Sequence, residues 1–153
     1  MALEVGQRFV DFNLKNQDGE AVSLNDFAGQ WLVVYVYPKD DTPGCTIQGK
    51  SFTASKQDFD DADISVVGVS EDDVESHKDF CSKEGLNFKL LSDSEAKVSE
   101  QYGSVMEYNG AKLSARNTFI IDPQGKVAKV FEKVKPGGHS EEVLAALASL
   151  QKQ

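Results

Sequence analysis

Trp31-Leu32-Val33-Val34-Tyr35-Val36-Tyr37-Pro38-Lys39-Asp40-Asp41-Thr42-Pro43-Gly44-Cys45 is the stretch whose reading decides the fold. Residues 31–37 are an unbroken run of β-branched, apolar and aromatic side chains, the pattern of a strand buried on both faces of a sheet. Pro38 ends the run, because proline cannot donate to a β-ladder. Beyond a polar loop, Cys45, Phe52 and Phe59 fall on one helical row, which predicts a helix over Cys45–Phe59 with Cys45 in its first turn, facing inward. A buried strand that feeds through a short loop into a helix N-terminus marks the edge where open α/β sheets bind ligands.

The alternation continues outward in both directions. Upstream, Val10–Leu14 alternates in polarity, Asp18-Gly19 is a turn signal and Ala21–Leu24 resumes as a strand, together an N-terminal β-hairpin. Downstream, Ile64–Val69 is a second buried strand, and Ser70-Glu71-Asp72-Asp73 resembles a capping box at the head of a helix that ends near Gly85 and carries Cys81 close to its end. Phe88–Leu91 predicts a short strand, Ser94–Tyr102 a short helix closed by Gly103, and Ser104–Ser114 a loop. Thr118–Ile121 is a third buried strand, Asp122-Pro123-Gln124-Gly125 a turn, and Lys126–Val134 its antiparallel partner. A last helix, Ser140–Lys152, turns Val143, Leu144, Leu147 and Leu150 to one face. The expectation is an α/β protein with a central mixed β-sheet flanked by helices, folded as a single domain over residues 1–153.

The net charge is −9 and the isoelectric point near 4.7, with basic residues scattered among acidic ones. Such a surface repels nucleic-acid phosphate and anionic lipid, so neither DNA nor a membrane is an expected partner. No apolar run approaches the roughly 20 residues that span a bilayer, and the first residues lack a signal core, which points to a cytoplasmic address. Two cysteines, Cys45 and Cys81, are no disulfide framework. With His77 and His139 they show none of the short spacings of zinc ligands, so neither a metal nor another cofactor is expected.

A thiol in the first turn of a helix meets free N–H groups and the positive end of the helix dipole, both of which favour the thiolate, the form that attacks. The residues alone leave a second reading open, in which Pro43 and Gly44 merely shape a turn and Cys45 packs in the core.

Pro38, Thr42 and Cys45 stand in a Pro-x-x-x-Thr-x-x-Cys arrangement that resembles the active-site loop of the peroxiredoxins. Ser114-Ala115-Arg116-Asn117-Thr118-Phe119-Ile120-Ile121-Asp122 is similar to that family's arginine-bearing strand, and the element order resembles its thioredoxin-like fold. The resemblance covers nearly the whole chain and is strongest to the bacterioferritin comigratory protein, or peroxiredoxin Q, group. It implies that Cys45 attacks hydrogen peroxide or an organic hydroperoxide and becomes a sulfenic acid. It further implies that Thr42 hydrogen-bonds the peroxide, that Arg116 steadies charge at the sulfur, and that Pro38 and Pro43 shape the pocket and limit water. Arg116 is one of two arginines, the other being Arg8; its alternative is an ordinary surface ion pair. Gln48 is expected to be structural, Phe52 and Phe59 core, His139 part of the last helix's cap, and His77 on a solvated helix edge.

Some members of the group carry a resolving cysteine five residues after the first, a position held here by Lys50. Others carry it on the next helix, where Cys81 falls. The resemblance therefore implies an internal Cys45–Cys81 disulfide, reduced by thioredoxin or glutaredoxin, in a monomer. A one-cysteine peroxidase that uses an external thiol, with Cys81 as a packed helix residue, stays open. So do a thioredoxin-like dithiol oxidoreductase, which the lack of a thiol at Thr42 disfavours, and a redox sensor without turnover.

Overall fold

The computed structural model describes residues 4–9, 11–38, 40, 42–93, 98, 102, 105–108, 111–114, 116–132, 134–135, 137 and 139–151, with backbone alone at 105–108, 111–114 and 151. The strands are β1 (Asn13–Asn16), β2 (Ala21–Ser23), β3 (Trp31–Val36), β4 (Ile64–Ser70), β5 (Lys89–Ser92), β6 (Val105–Tyr108), β7 (Ala111–Ser114), β8 (Asn117–Ile121) and β9 (Val127–Phe131). The helices are α1 (Pro43–Ala54), α2 (Lys56–Asp61), α3 (Val74–Glu84) and α4 (His139–Gln151). Seven strands form one mixed sheet in the order β2-β1-β5-β4-β3-β8-β9, with β3, β4 and β5 mutually parallel and the rest antiparallel to their neighbours.

The apolar run of β3 lies at the centre of this sheet, and its alternation divides the core in two. Val33, Tyr35 and Tyr37 pack with Cys45, Phe52, Phe59, Phe80, Cys81, Val143 and Leu147, so the helices cover this face. Leu32, Val34 and Val36 pack on the other face with Phe9, Phe12, Phe119 and Tyr102. Each fully buried side chain of this size contributes roughly 1.5–3 kcal/mol, more than a helix cap, so this pattern fixes register. Gly68 of β4 pairs with Tyr35 across the ladder. A Cβ there would come within 2.8 Å of Leu90 Cδ2 and Tyr35 Cζ, so the tyrosine ring occupies the space a side chain would need.

The structure departs from the sequence reading at several points. The helix expected over Cys45–Phe59 breaks at Ser55, whose hydroxyl lies 2.9 Å from Ser140 Oγ of α4; Ser51 Oγ reaches the same atom at 2.7 Å. Tying hydroxyls across to α4 bends the chain there, yet Phe52 and Phe59 stay buried with ring centroids 5.9 Å apart. Ser70 closes β4 and does not cap α3; the N-cap is Asp73, whose Oδ1 accepts the Ser76 N–H at 2.8 Å. The segment expected to be a loop over Ser104–Ser114 contains the antiparallel hairpin β6–β7. The helix expected over Ser94–Tyr102 lies outside the described residues except at Val98 and Tyr102, both buried.

Candidate active site

At the C-terminal end of β3 the Tyr37 N–H still donates to Val69 O at 3.0 Å, and Pro38 then releases the chain from the sheet. Thr42 is the N-cap of α1, with extended φ and ψ of −95° and 154°. Its carbonyl accepts the Thr46 N–H at 2.9 Å, the first helical bond. Pro43 follows at the first helical position, where a missing N–H costs nothing, and its ring is exposed. Cys45 therefore sits in the first turn, 2% exposed, where the helix end presents N–H groups and positive potential to an anion.

Antiparallel pairing of β8 with β3 sets Asn117 opposite Val36. Arg116, the residue before Asn117, is thereby delivered to the same end of the sheet. Its Nη1 donates to Gln48 Oε1 at 2.8 Å, and its carbonyl accepts the Val134 N–H at 2.8 Å. Gln48, fully buried one turn after Cys45, is thus the acceptor that aims the guanidinium, while its Nε2 is buried without a hydrogen-bond partner among the described residues. The Tyr35 phenol registers the convergence of these groups. Burial chiefly, with Cys45, Cys81 and Asp40 adding and Arg116 opposing, holds its pKa well above the ordinary range.

Cys81 lies in the last turn of α3, at 9% exposure, in the same core cluster as Cys45, and both thiols are free. Gly85, left-handed at φ 67°, and Leu86 both donate their N–H groups to the Cys81 carbonyl, closing the helix. Burial first, then the charges of Asp40 and Asp18, pushes the Cys81 thiol up to about 12. In the folded protein it stays a thiol, and a thiol is a poor nucleophile.

His77 is not on a solvated edge: it is fully buried, its Nδ1 2.7 Å from Asp40 Oδ2 and its Nε2 3.0 Å from the Leu91 carbonyl. Helical period alone put it outside, but the loop that follows β3 folds back over α3 and covers it. His139 does open α4, and it is buried as well, with Nε2 2.8 Å from Thr118 Oγ1 and Nδ1 2.8 Å from Glu142 Oε1. Thr42, Pro43 and Cys45 thus stand at one helix end, Arg116 bonds Gln48 one turn along that helix, Cys81 shares a core cluster with Cys45, and Pro38 stands just past the end of β3. The sequence reading missed Tyr35 and the Asp40–His77 pair. The only signal for the pair was a histidine one helical turn before Cys81.

Residues 5–130 match the model of the AhpC/TSA family. Peroxiredoxin Bcp of Xanthomonas campestris pv. campestris is 41% identical over 99% of this chain and 97% of its own length. This chain is a peroxiredoxin of the AhpC/TSA family. A peroxiredoxin is a thiol-dependent peroxidase, and its fold is the thioredoxin-like one. Among solved structures, the Xanthomonas campestris bacterioferritin comigratory protein, described for its alkyl peroxide reduction activity, is 37% identical over 95% of this chain and 98% of its own, with a TM-score of 0.88. Two cysteine-to-serine mutants of Xanthomonas campestris peroxiredoxin Q are each 39% identical over 96% of both chains, with TM-scores of 0.88. Among the described residues of this peroxiredoxin, no helix is long and apolar enough to cross a membrane.

Proposed function

We propose that this peroxiredoxin is an atypical two-cysteine enzyme, a cytoplasmic monomer of one domain, in which Cys45 reduces hydrogen peroxide and organic hydroperoxides and Cys81 resolves the product. The observation that carries the reading is the placement of Cys45 in the first turn of α1, with the Arg116–Gln48 pair one turn along. The Cys45 thiolate attacks the terminal peroxide oxygen. The O–O bond breaks, the sulfur becomes a sulfenic acid, and the departing alkoxide or hydroxide takes up a proton to leave as alcohol or water. Arg116, held toward the reacting sulfur by Gln48, stabilises charge as it moves onto the leaving oxygen. The Thr42 hydroxyl orients the peroxide, and Pro38 and Pro43 limit water at the sulfur.

Cys81 then attacks the sulfenic sulfur, forming an S–S bond and releasing water, and thioredoxin, or glutaredoxin in its place, reduces the disulfide. Two features support the pairing: both thiols share one core cluster, and the two altered cysteines of the Xanthomonas mutants stand as far apart in that chain as Cys45 and Cys81 do here. The buried, protonated state of Cys81 favours a second reading, a one-cysteine peroxidase served by an external thiol. Mass spectrometry after one equivalent of peroxide separates the two. The first reading expects a monomer with an internal disulfide and no free thiol; a lasting sulfenic acid on Cys45 with Cys81 free establishes the second. Cys45→Ser abolishes turnover under either, since a hydroxyl stays protonated at neutral pH, and residual activity above about a tenth of the parent rate would remove Cys45 from the chemistry.

A further inference from the structure

Asp40 lies in the loop between β3 and α1, 6% exposed, held by α3, by its approach and by Tyr37 at the end of β3. Its backbone N–H donates to Asp72 Oδ2 at 2.8 Å. Tyr37 Oη donates to Oδ1 at 2.6 Å, Ser76 Oγ donates to Oδ2 at 2.9 Å, and His77 Nδ1 lies 2.7 Å from Oδ2. The Leu91 carbonyl facing His77 Nε2 can only accept, so that nitrogen carries its hydrogen, and the contact of Nδ1 with Asp40 Oδ2 is a hydrogen bond through a further proton held between the two. These contacts join the two segments that must rearrange for Cys45 and Cys81 to meet in a disulfide. Asp40 precedes Cys45 in the loop that opens α1, and His77 stands one turn before Cys81 on α3. None of these side chains touches the peroxide in the mechanism above.

We propose that Asp40, Ser76 and His77 form a latch that clamps the active-site loop to α3 and sets how fast an oxidised Cys45 reaches Cys81, which makes them positioning residues for resolution. The inference rests on the reading of Cys81 as the resolving thiol. A disulfide needs Cα atoms within about 7 Å in a specific geometry. Cys81 moreover presents a buried thiol, so the first turn of α1 and the end of α3 must open first. Opening breaks the latch, but water then replaces each lost hydrogen bond, so the net hold per bond is modest and the closed state remains reversible. The step the latch delays is Cys45–SOH plus HS–Cys81 giving Cys45–S–S–Cys81 and water: the S–S bond forms, the S–O bond breaks, and the thiol proton leaves with the hydroxide. While the latch stays closed, a second peroxide competes to convert the sulfenic acid to sulfinic acid.

The test uses Ser76→Ala, which deletes one hydroxyl, and His77→Phe, which deletes both ring contacts at similar volume. Sulfenic acid formation, disulfide formation and sulfinic acid yield are each followed by rapid quench and mass spectrometry in the full-length protein. Disulfide formation should speed up by about threefold or more, the scale of one net hydrogen bond, and the sulfinic fraction at excess peroxide should fall, with the first oxidation step unchanged. Disulfide rates unchanged or slowed, or both steps shifted together, overturn the latch. Should His77→Phe fail to fold, Ser76→Ala decides alone. A parent protein that forms no Cys45–Cys81 disulfide overturns the resolving assignment as well, whereas a parent that forms it beside unresponsive variants overturns the latch only.

Discussion

Arg116 illustrates how a single side chain is aimed. Its guanidinium has five N–H donors in a rigid fork, and one of them is committed to the buried Gln48 oxygen, which restricts the orientation of the rest. Arg116→Ala leaves the fold intact and slows peroxide reduction by about tenfold, the equivalent of about 1.4 kcal/mol from one charge-assisted contact. Stopped-flow oxidation of mutant protein that keeps its circular dichroism is the check, and an unchanged rate removes Arg116 from the site. His139 supplies a different residue-scale prediction. Burial disfavours its charged form and lowers its pKa from the ordinary 6.5, outweighing the opposite pull of Glu142. The unfolded chain therefore takes up a proton near pH 6.5 that the folded protein does not, so His139 favours the folded state above that pH and the advantage is lost as pH falls below it. The urea midpoint of the parent should drop between pH 7.5 and 5.5, and His139→Gln should flatten that drop; parallel curves would show that His139 does not carry the dependence.

At the scale of elements, the ends of α1 and α3 are where chemistry and stability compete. The α3 end is closed by two N–H groups on the Cys81 carbonyl, and a salt bridge joins Lys50 of α1 to Glu84 at 3.3 Å. Lys50 is largely exposed, so the bridge contributes little, and the closed state rests on burial and on the contacts around Asp40. Oxidation to the Cys45–Cys81 disulfide should accordingly raise hydrogen exchange across residues 42–50 and 78–86, while β3, β4 and β8 stay protected. Retained protection at both helix ends in the oxidised protein would mean that the thiols meet without opening. The end of α3 was readable in the sequence, because Gly85 acts locally as a stop signal, whereas the starts were placed two residues late at Cys45 and, at Ser70, on the wrong capping residue. The break at Ser55 was not readable, since it depends on Ser140 in a distant helix; the hairpin β6–β7 was legible but missed, since the sequence Asn109-Gly110 between its strands is a local hairpin signal.

On the scale of the whole molecule, the central sheet and the site share one packing problem, which centres on Tyr35. Its ring stacks on Phe52 at 4.7 Å and fills the space above Gly68, and burial, with Cys45, Cys81 and Asp40 adding and Arg116 opposing, holds its phenol pKa well above the ordinary range. Gly68→Ala forces a methyl against two buried side chains held by their neighbours, which should destabilise the protein by about 1–3 kcal/mol. A urea midpoint equal to the parent's would show that Tyr35 and Leu90 can yield. The sequence by itself determined the burial of residues 31–37 and the order of most strands and helices, though not β6–β7 or the break at Ser55, because periodicity and turn residues are local properties; Cys45, Thr42 and Arg116 were grouped by resemblance to the peroxiredoxins. Only the tertiary structure decided that Gln48 aims Arg116, that His77 is buried against Asp40, and that Cys81 is a protonated core thiol. Each of these depends on what folds over a side chain from another part of the chain: burial and hydrogen-bond partners are properties of the packed molecule, and helical spacing carries no record of them.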